Sequence, residues 1–361
     1  MRLFMIILMV AVFALGGFLI YRNANQFDLP RGEAKPLSES SDTDKGNNEN
    51  DSVDSEIGKT LENSPIPVIK SSRQIFTTDG VKHSIPINEI LSGGPPKDGI
   101  PSIDNPKFVS TTEADEFLGA GDVGLGIFLN GEARFYPYQI LVWHEIVNDN
   151  TGDHPLLVTY CPLCATGVAF NPIVNGEPVK FGVSGKLWKS NLLMYNRSSD
   201  SGKESLWSQV LGEAVLGEFT GTKLAILRSD TMRYKDWKNL YPNTKVLSRD
   251  TGALRTYGSD PYGDYYTDEY VSFGASFTDD RLHPKRFVLG IEIDGHYKAY
   301  DKESLSEGIT EDVFVGEKIT IEKSTLGGIE IFVGQDKMPL PYVGGFWFSW
   351  LAVHPGTELF K

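Results

Sequence analysis

Cys161 and Cys164 are the two cysteines of the chain, and they lie in the stretch Thr159-Tyr160-Cys161-Pro162-Leu163-Cys164-Ala165-Thr166-Gly167. A Cys-x-x-Cys pair has three chemical uses: a dithiol that exchanges with a disulfide, a structural disulfide, or two thiolate ligands of a metal ion. Two cysteines cannot build a four-thiolate zinc site, so a metal would need other donors. His144 is the first candidate, either as a ligand or as a proton partner of the thiols. Met194, in Asn191-Leu192-Leu193-Met194-Tyr195, could add a thioether. Thiolate, imidazole and thioether together suit copper, while thiolate and imidazole alone also suit zinc. The motif leaves redox, metal-binding and structural readings open, and with them whether the protein is an enzyme.

Other chemistries fail on spacing. His144-Glu145-Ile146-Val147-Asn148 has Asn where the His-Glu-x-x-His zinc motif needs its second histidine. Gly182-Val183-Ser184-Gly185-Lys186 is followed by Leu187, not Ser or Thr, so it is not a phosphate loop. Ser184 lacks the Gly-x-Ser-x-Gly frame of a nucleophile elbow. The carboxylates between Asp260 and Asp280 do not have calcium-loop spacing.

The thiols need a support, and the apolar run Leu156–Tyr160 supplies a strand that leads straight into Cys161. This ordering puts the pair on a loop at the edge of a packed sheet, where the amides of a following turn would lower a thiol pKa. Pro137 begins a helix in which Ile140, Trp143, His144 and Val147 share one face. Before it, Leu125–Tyr136 reads as a hairpin turning on Asn130-Gly131. A similar hairpin, Leu289–Tyr300 about Asp294-Gly295, follows 164 positions later. Trp237…Pro242…Thr244 is likewise echoed by Trp350…Pro355…Thr357, 113 positions on. Two divergent copies of a hairpin–helix unit are expected, about 125–248 and 289–361, with the cysteines in the first alone. Many short strands with few helices give a β-rich α+β fold, and Arg249 to Asp280 reads as a long structured loop over one end of a sheet.

The two ends of composition space in this chain suggest an address. Leu3–Ile20 is an uncharged apolar run of 18 residues behind Arg2, so residues 1–21 read as a transmembrane anchor or a signal sequence. Both options export the remainder, as a single-pass membrane protein with an extracytoplasmic domain or as a secreted one. Residues 22–65 read as a disordered acidic linker with almost no large apolar side chains, and residues 66–361 as the globular domain. Partner expectations are a membrane, through the N-terminal helix, and no nucleic acid. The net charge of −14 and the lack of a basic patch argue against the latter. Outside the cytoplasm a close thiol pair is oxidised or metal-bound unless something keeps it reduced.

Seven segments in order carry a family resemblance: 130–137, 140–149, 158–170, 181–185, 192–197, 204–209 and 260–262. They resemble the prokaryotic family described as domain of unknown function 3179, over most of residues 66–361. One departure is Ala165, where the family pattern has Gly after the second cysteine. The resemblance implies an exported or membrane-anchored protein and brings no reaction or cofactor. It implies that the cysteines, His144, Ser184, Met194, Arg197, Ser205, Trp207 and Gln209 belong to one recurring constellation.

Overall fold

A computed structural model describes Phe27, residues 29–37 and residues 69–360. The apolar run Leu3–Ile20 and most of the expected linker lie outside the described residues. Among the described residues no helix is long and apolar enough to cross a membrane. One correction falls within the linker span: Lys35–Pro36 forms a short strand against Phe76–Thr77, so that stretch is docked on the domain.

The fold is β-rich, with short helices between several sheets. Its centre is the strand His154–Cys161, flanked by Ile146–Thr151 and Thr166–Asn171 in an eight-stranded sheet. Successive residues of a strand point to opposite faces, and here both faces are covered. Leu156, Val158 and Tyr160 enter one core with Leu125, Ile127 and Tyr136 of the five-stranded sheet. Leu157 and Cys161 enter another, with Phe181, Leu193 and Trp207 of the ten-stranded sheet. Two-sided burial explains why Leu156–Tyr160 is continuously apolar instead of alternating.

The hairpin at Asn130-Gly131 joins Val123–Leu129 to Glu132–Pro137, with both turn residues in the left-handed region as a type I′ turn requires. Pro137 precedes a helix, but this helix spans only Tyr138–Leu141. Glu145 then takes φ +59°, and Ile146–Thr151 runs on as a strand paired to His154–Thr159. The expected helical face through His144 and Val147 therefore does not form. Strand pairing of the β-branched pair Ile146-Val147 overrides the 3/4 spacing.

The two hairpins and the strands that pair with them have matching registers. Asp230 pairs with Gly126, and Val343 pairs with Gly290. Lys245 lies parallel to Arg134, and Glu358 lies parallel to Lys298. The helices Tyr234–Leu240 and Trp347–Val353 follow the third strand of each unit. Each of these correspondences has the sequence offset of 164 or 113 positions seen in the motifs. In both units the helix tryptophan lies against a strand glycine. A Cβ on Gly126 would stand 2.3 Å from the Trp237 ring, and one on Gly290 2.4 Å from that of Trp350. We predict that Gly126→Ala and Gly290→Ala each lower stability by about 1–3 kcal/mol through overpacking. Urea titration is the check, and an unchanged midpoint would count against this packing.

Candidate functional site

Cys161 closes its strand, Pro162–Cys164 makes one 3₁₀ turn, and Ala165 at φ +47° returns the chain into Thr166–Asn171. Cys161 and Thr166 pair across this tight reversal. The pair is not on an open edge. Cys161 and Cys164 are 1% and 0% exposed, because strand alternation puts Cys161 on the face packed against the ten-stranded sheet. Both thiols are free, and both donate to the Ser190 carbonyl, at 3.7 Å and 3.4 Å.

Around the sulfurs the backbone adopts conformations that side chains resist. The hairpin between Phe181–Trp188 and Asn191–Asn196 turns on Lys189 and Ser190, both at positive φ. Hairpins elsewhere in the chain turn on Asp79-Gly80, Asn130-Gly131, Asn175-Gly176 and Asp294-Gly295, where glycine removes part of the cost. With Glu145 and Ala165, four non-glycine residues next to the thiols occupy the left-handed region, at roughly 1–2 kcal/mol each. Ser190 is held there from outside: its N–H donates to Phe273 O at 3.0 Å and its hydroxyl to Ser272 O. Strain of this kind persists only where surrounding contacts enforce it, and it clusters at functional sites.

A polar network supports Cys164. Asn191 Nδ2 donates to Gln209 Oε1 at 2.9 Å, and Gln209 Nε2 donates to Thr159 Oγ1 and Thr166 O at 3.1 Å and 2.9 Å. Ser349, from helix Trp347–Val353, has a buried hydroxyl without a hydrogen-bond partner among the described residues. The two thiols are pushed apart in acidity. Burial drives Cys161 well above an ordinary thiol, reinforced by Cys164 beside it. Burial also opposes the Cys164 thiolate, but the polar hydrogens of Cys161, Ser349 and Asn191 would favour it once formed, and they lower its pKa. Side chains, not turn amides, supply this effect.

Glu145 is the residue the motifs did not reveal. Its carbonyl accepts from Tyr160 N at 2.8 Å, which ties it to the strand that carries Cys161. Its side chain is buried and makes no ion pair among the described residues. Burial alone raises its pKa to about 8, and its charge bears on Cys161, Cys164 and Tyr262. The only sequence signal was its place in the failed His-Glu-x-x-His frame. Asn148, which broke that frame, is structural: its amide accepts from Phe181 N and donates to Phe181 O, each at 2.8 Å.

The remaining expected residues have packing and partners of their own. His144 has both ring nitrogens engaged, with Pro101 O and Tyr257 OH at 2.7 Å each, and burial lowers its pKa to about 4. It is a neutral bridge to the loop at Tyr257. Met194 is fully buried in the same core as Cys161 and Cys164. Among the described residues no three His, Cys, Asp or Glu side chains gather as a metal site would require. Of the wider constellation only Gln209 joins the thiol network. Ser184 donates to Leu193 O, Arg197 is paired with Asp104, Ser205 Oγ accepts from Phe219 N, and Trp207 Nε1 donates to Asn196 Oδ1.

The loop from Arg249 to Asp280 roofs the site. Tyr265 OH donates to Leu163 O at 2.9 Å, and Lys285 Nζ fixes the loop through Asp268 at 2.5 Å.

The model of the family described as protein of unknown function (DUF3179) matches residues 97–337, two-thirds of the chain. The chain belongs to that family. No curated protein and no solved structure matches it.

Two predictions follow from the strain and burial at this site. Ala165→Gly should raise stability by about 0.5–1 kcal/mol, since glycine accepts the left-handed region without a Cβ penalty; no gain in a urea titration would remove the strain at this position. For Glu145, an unfolded chain loses the carboxyl proton near pH 4.5, while the folded chain holds it to about pH 8. Between those values the folded state binds more protons, so stability falls as pH rises. Glu145→Gln should abolish that decline, matching wild type near pH 4 and exceeding it at pH 8 by on the order of 4 kcal/mol. Parallel pH profiles for the two proteins would contradict this assignment.

Proposed function

We propose that Cys161 and Cys164 form a thiol–disulfide redox site in which Glu145 exchanges the proton of the buried thiol. The observation that carries this reading is a buried carboxyl on a residue in the left-handed region, tied by its carbonyl to the strand of Cys161, near two free and fully buried thiols. Perturbed groups in one cluster are what proton-coupled chemistry needs.

The co-reactant is a disulfide-bearing molecule. The Cys164 thiolate attacks one sulfur of that disulfide, forming a mixed disulfide and releasing the other sulfur as a thiolate, which takes a proton from water. Glu145, as carboxylate, accepts the Cys161 S–H proton. The Cys161 thiolate then attacks Cys164 Sγ, closes the internal disulfide and expels the second partner sulfur. Two electrons pass from the dithiol to the partner, and the same steps run in reverse oxidise a dithiol. Access requires the roof loop to move, since both sulfurs are sealed.

The domain reads as extracytoplasmic, tethered by the apolar run Leu3–Ile20 or released after its cleavage. The matching registers of the two hairpin–helix units support reading them as diverged copies, with the cysteine turn built into one. A second reading has a specific observation behind it: complete burial of both sulfurs suits a structural disulfide without a partner.

Thiol trapping across a series of glutathione redox buffers separates the two. A redox site gives a reversible two-electron transition, and Cys161→Ser accumulates a mixed disulfide at Cys164. A pair that stays locked in one state in all buffers short of unfolding, with Cys161→Ser merely destabilising the fold, would overturn the redox reading.

A further inference from the structure

A second site lies where the two hairpin–helix units meet the four-stranded sheet. A cavity of about 380 Å³ opens there, lined by the strand Asp230–Arg233, by Phe287 and Lys302 at the ends of the second hairpin, and by the turn that follows Lys323. Lys302 Nζ donates to Thr231 O. Lys323 Nζ donates to Lys302 O at 3.2 Å and to Leu305 O at 2.7 Å. Backbone carbonyls thus hold two ammonium groups at one cavity. Burial lowers the Lys302 pKa; Asp230 opposes that shift, and the charge of Lys323 adds to it.

The chain carries a net charge of −14, yet among the described residues neither ammonium has a carboxylate at ion-pair distance. The acidic residues that share the lining are engaged elsewhere or open to water. Asp236 pairs with Arg233 at 2.6 Å, Glu303 pairs with Arg286, and Glu307 is exposed. Asp230 is held by Arg228 at 3.7 Å and by Tyr342 OH at 2.7 Å. The Phe287 ring lies 5.3 Å from the Lys302 ammonium. Drawing like charges out of water without a counter-ion is costly, and the scaffold does not demand it. In the first hairpin the matching position, 164 residues earlier, holds Tyr138, which meets Thr231 Oγ1 through a neutral hydroxyl at 2.7 Å.

The lining also defines what would fit. An ammonium has three donors, so among the described residues Lys302 keeps two and Lys323 keeps one. Ser324 Oγ accepts from Gly328 N at 3.0 Å, which leaves its hydrogen to donate, and the Thr325 hydroxyl belongs to the same lining. Both lysines are only half-buried, while Ser324 and Thr325 are exposed, so a solute can reach them. Two positive charges and several donors match a phosphate dianion. A carboxylate has one charge and two oxygens in a plane, and would leave one ammonium unanswered. Met232, Phe287 and Leu326 add apolar surface to the cavity, and the volume is at the small end of ligand sites.

We propose that this cavity binds a phosphate group between Lys302 and Lys323, as free phosphate or as the phosphoryl end of a small organic phosphate. The full chain is titrated by calorimetry with inorganic phosphate and with phenyl phosphate, and with acetate and benzoate as their carboxylate counterparts. Saturable binding of a phosphate is expected, weakening as salt is added. Tighter binding of phenyl phosphate assigns the organic form, and inorganic phosphate binding at least as tightly assigns the free ion. Lys302→Gln and Lys323→Gln each keep a donor for the backbone carbonyls and remove the charge. Each should weaken binding roughly tenfold to a hundredfold, the worth of a charge-assisted hydrogen bond, while melting curves show both folded. A wild-type crystal soaked with the tighter phosphate provides a readout that needs no variant. The proposal is overturned if neither phosphate binds, if the matching carboxylate binds as tightly, if folded variants bind as wild type does, or if the phosphate sits away from the two lysines in the crystal.

Discussion

The structure depends on the burial of one strand, His154–Cys161, from both sides. Its even positions from Leu156 to Tyr160 hold the five-stranded sheet, and Leu157 and Cys161 hold the ten-stranded one. A sheet between two cores cannot shift its register by one residue without exchanging the contents of both. Rigidity at this point fixes where the chain must reverse, and the reversal carries the thiols. The cysteine turn is thus the terminus of the most constrained element in the molecule.

That constraint also explains how the strained residues are maintained. Ala165 must bring the chain back within one turn, Glu145 must break the Tyr138–Leu141 helix into a strand edge, and the Lys189-Ser190 turn must offer its carbonyl to both sulfurs. Ser190 is clamped by the loop carbonyls of Ser272 and Phe273, and Glu145 by the backbone of the Cys161 strand. Ala165 sits at φ +47°, where the glycine expected from the family resemblance would carry no Cβ penalty.

Much of the architecture was legible from local signals. Asx-Gly dipeptides marked hairpins, the Trp–Pro–Thr echoes marked matching helix ends, and the continuous apolar run marked the central strand. The Cys pair was visible for the same reason, since its spacing alone defines a chemistry. Glu145, Ser190, Asn191 and Ser349 were not, because nothing in their local sequence records that the fold brings them to the thiols. Lys189-Ser190 has no turn signature, and the backbone there is set by Ser272 and Phe273, more than eighty positions away. His144 was misplaced because four apolar or aromatic positions at helical spacing do not outweigh pairing with a strand already fixed on both faces.

The groups that enclose the sulfurs come from widely separated parts of the chain, from Glu145 through Ser190 and Tyr265 to Ser349. Contacts of such sequence separation form late, after the entropy of long loops has been spent. Chains emerge from synthesis amino terminus first, so both cysteines are made well before the serine and the roof loop that shut them in. Both thiols therefore meet the environment of the nascent chain before the fold closes over them, and afterwards they meet the solvent only when the roof loop opens.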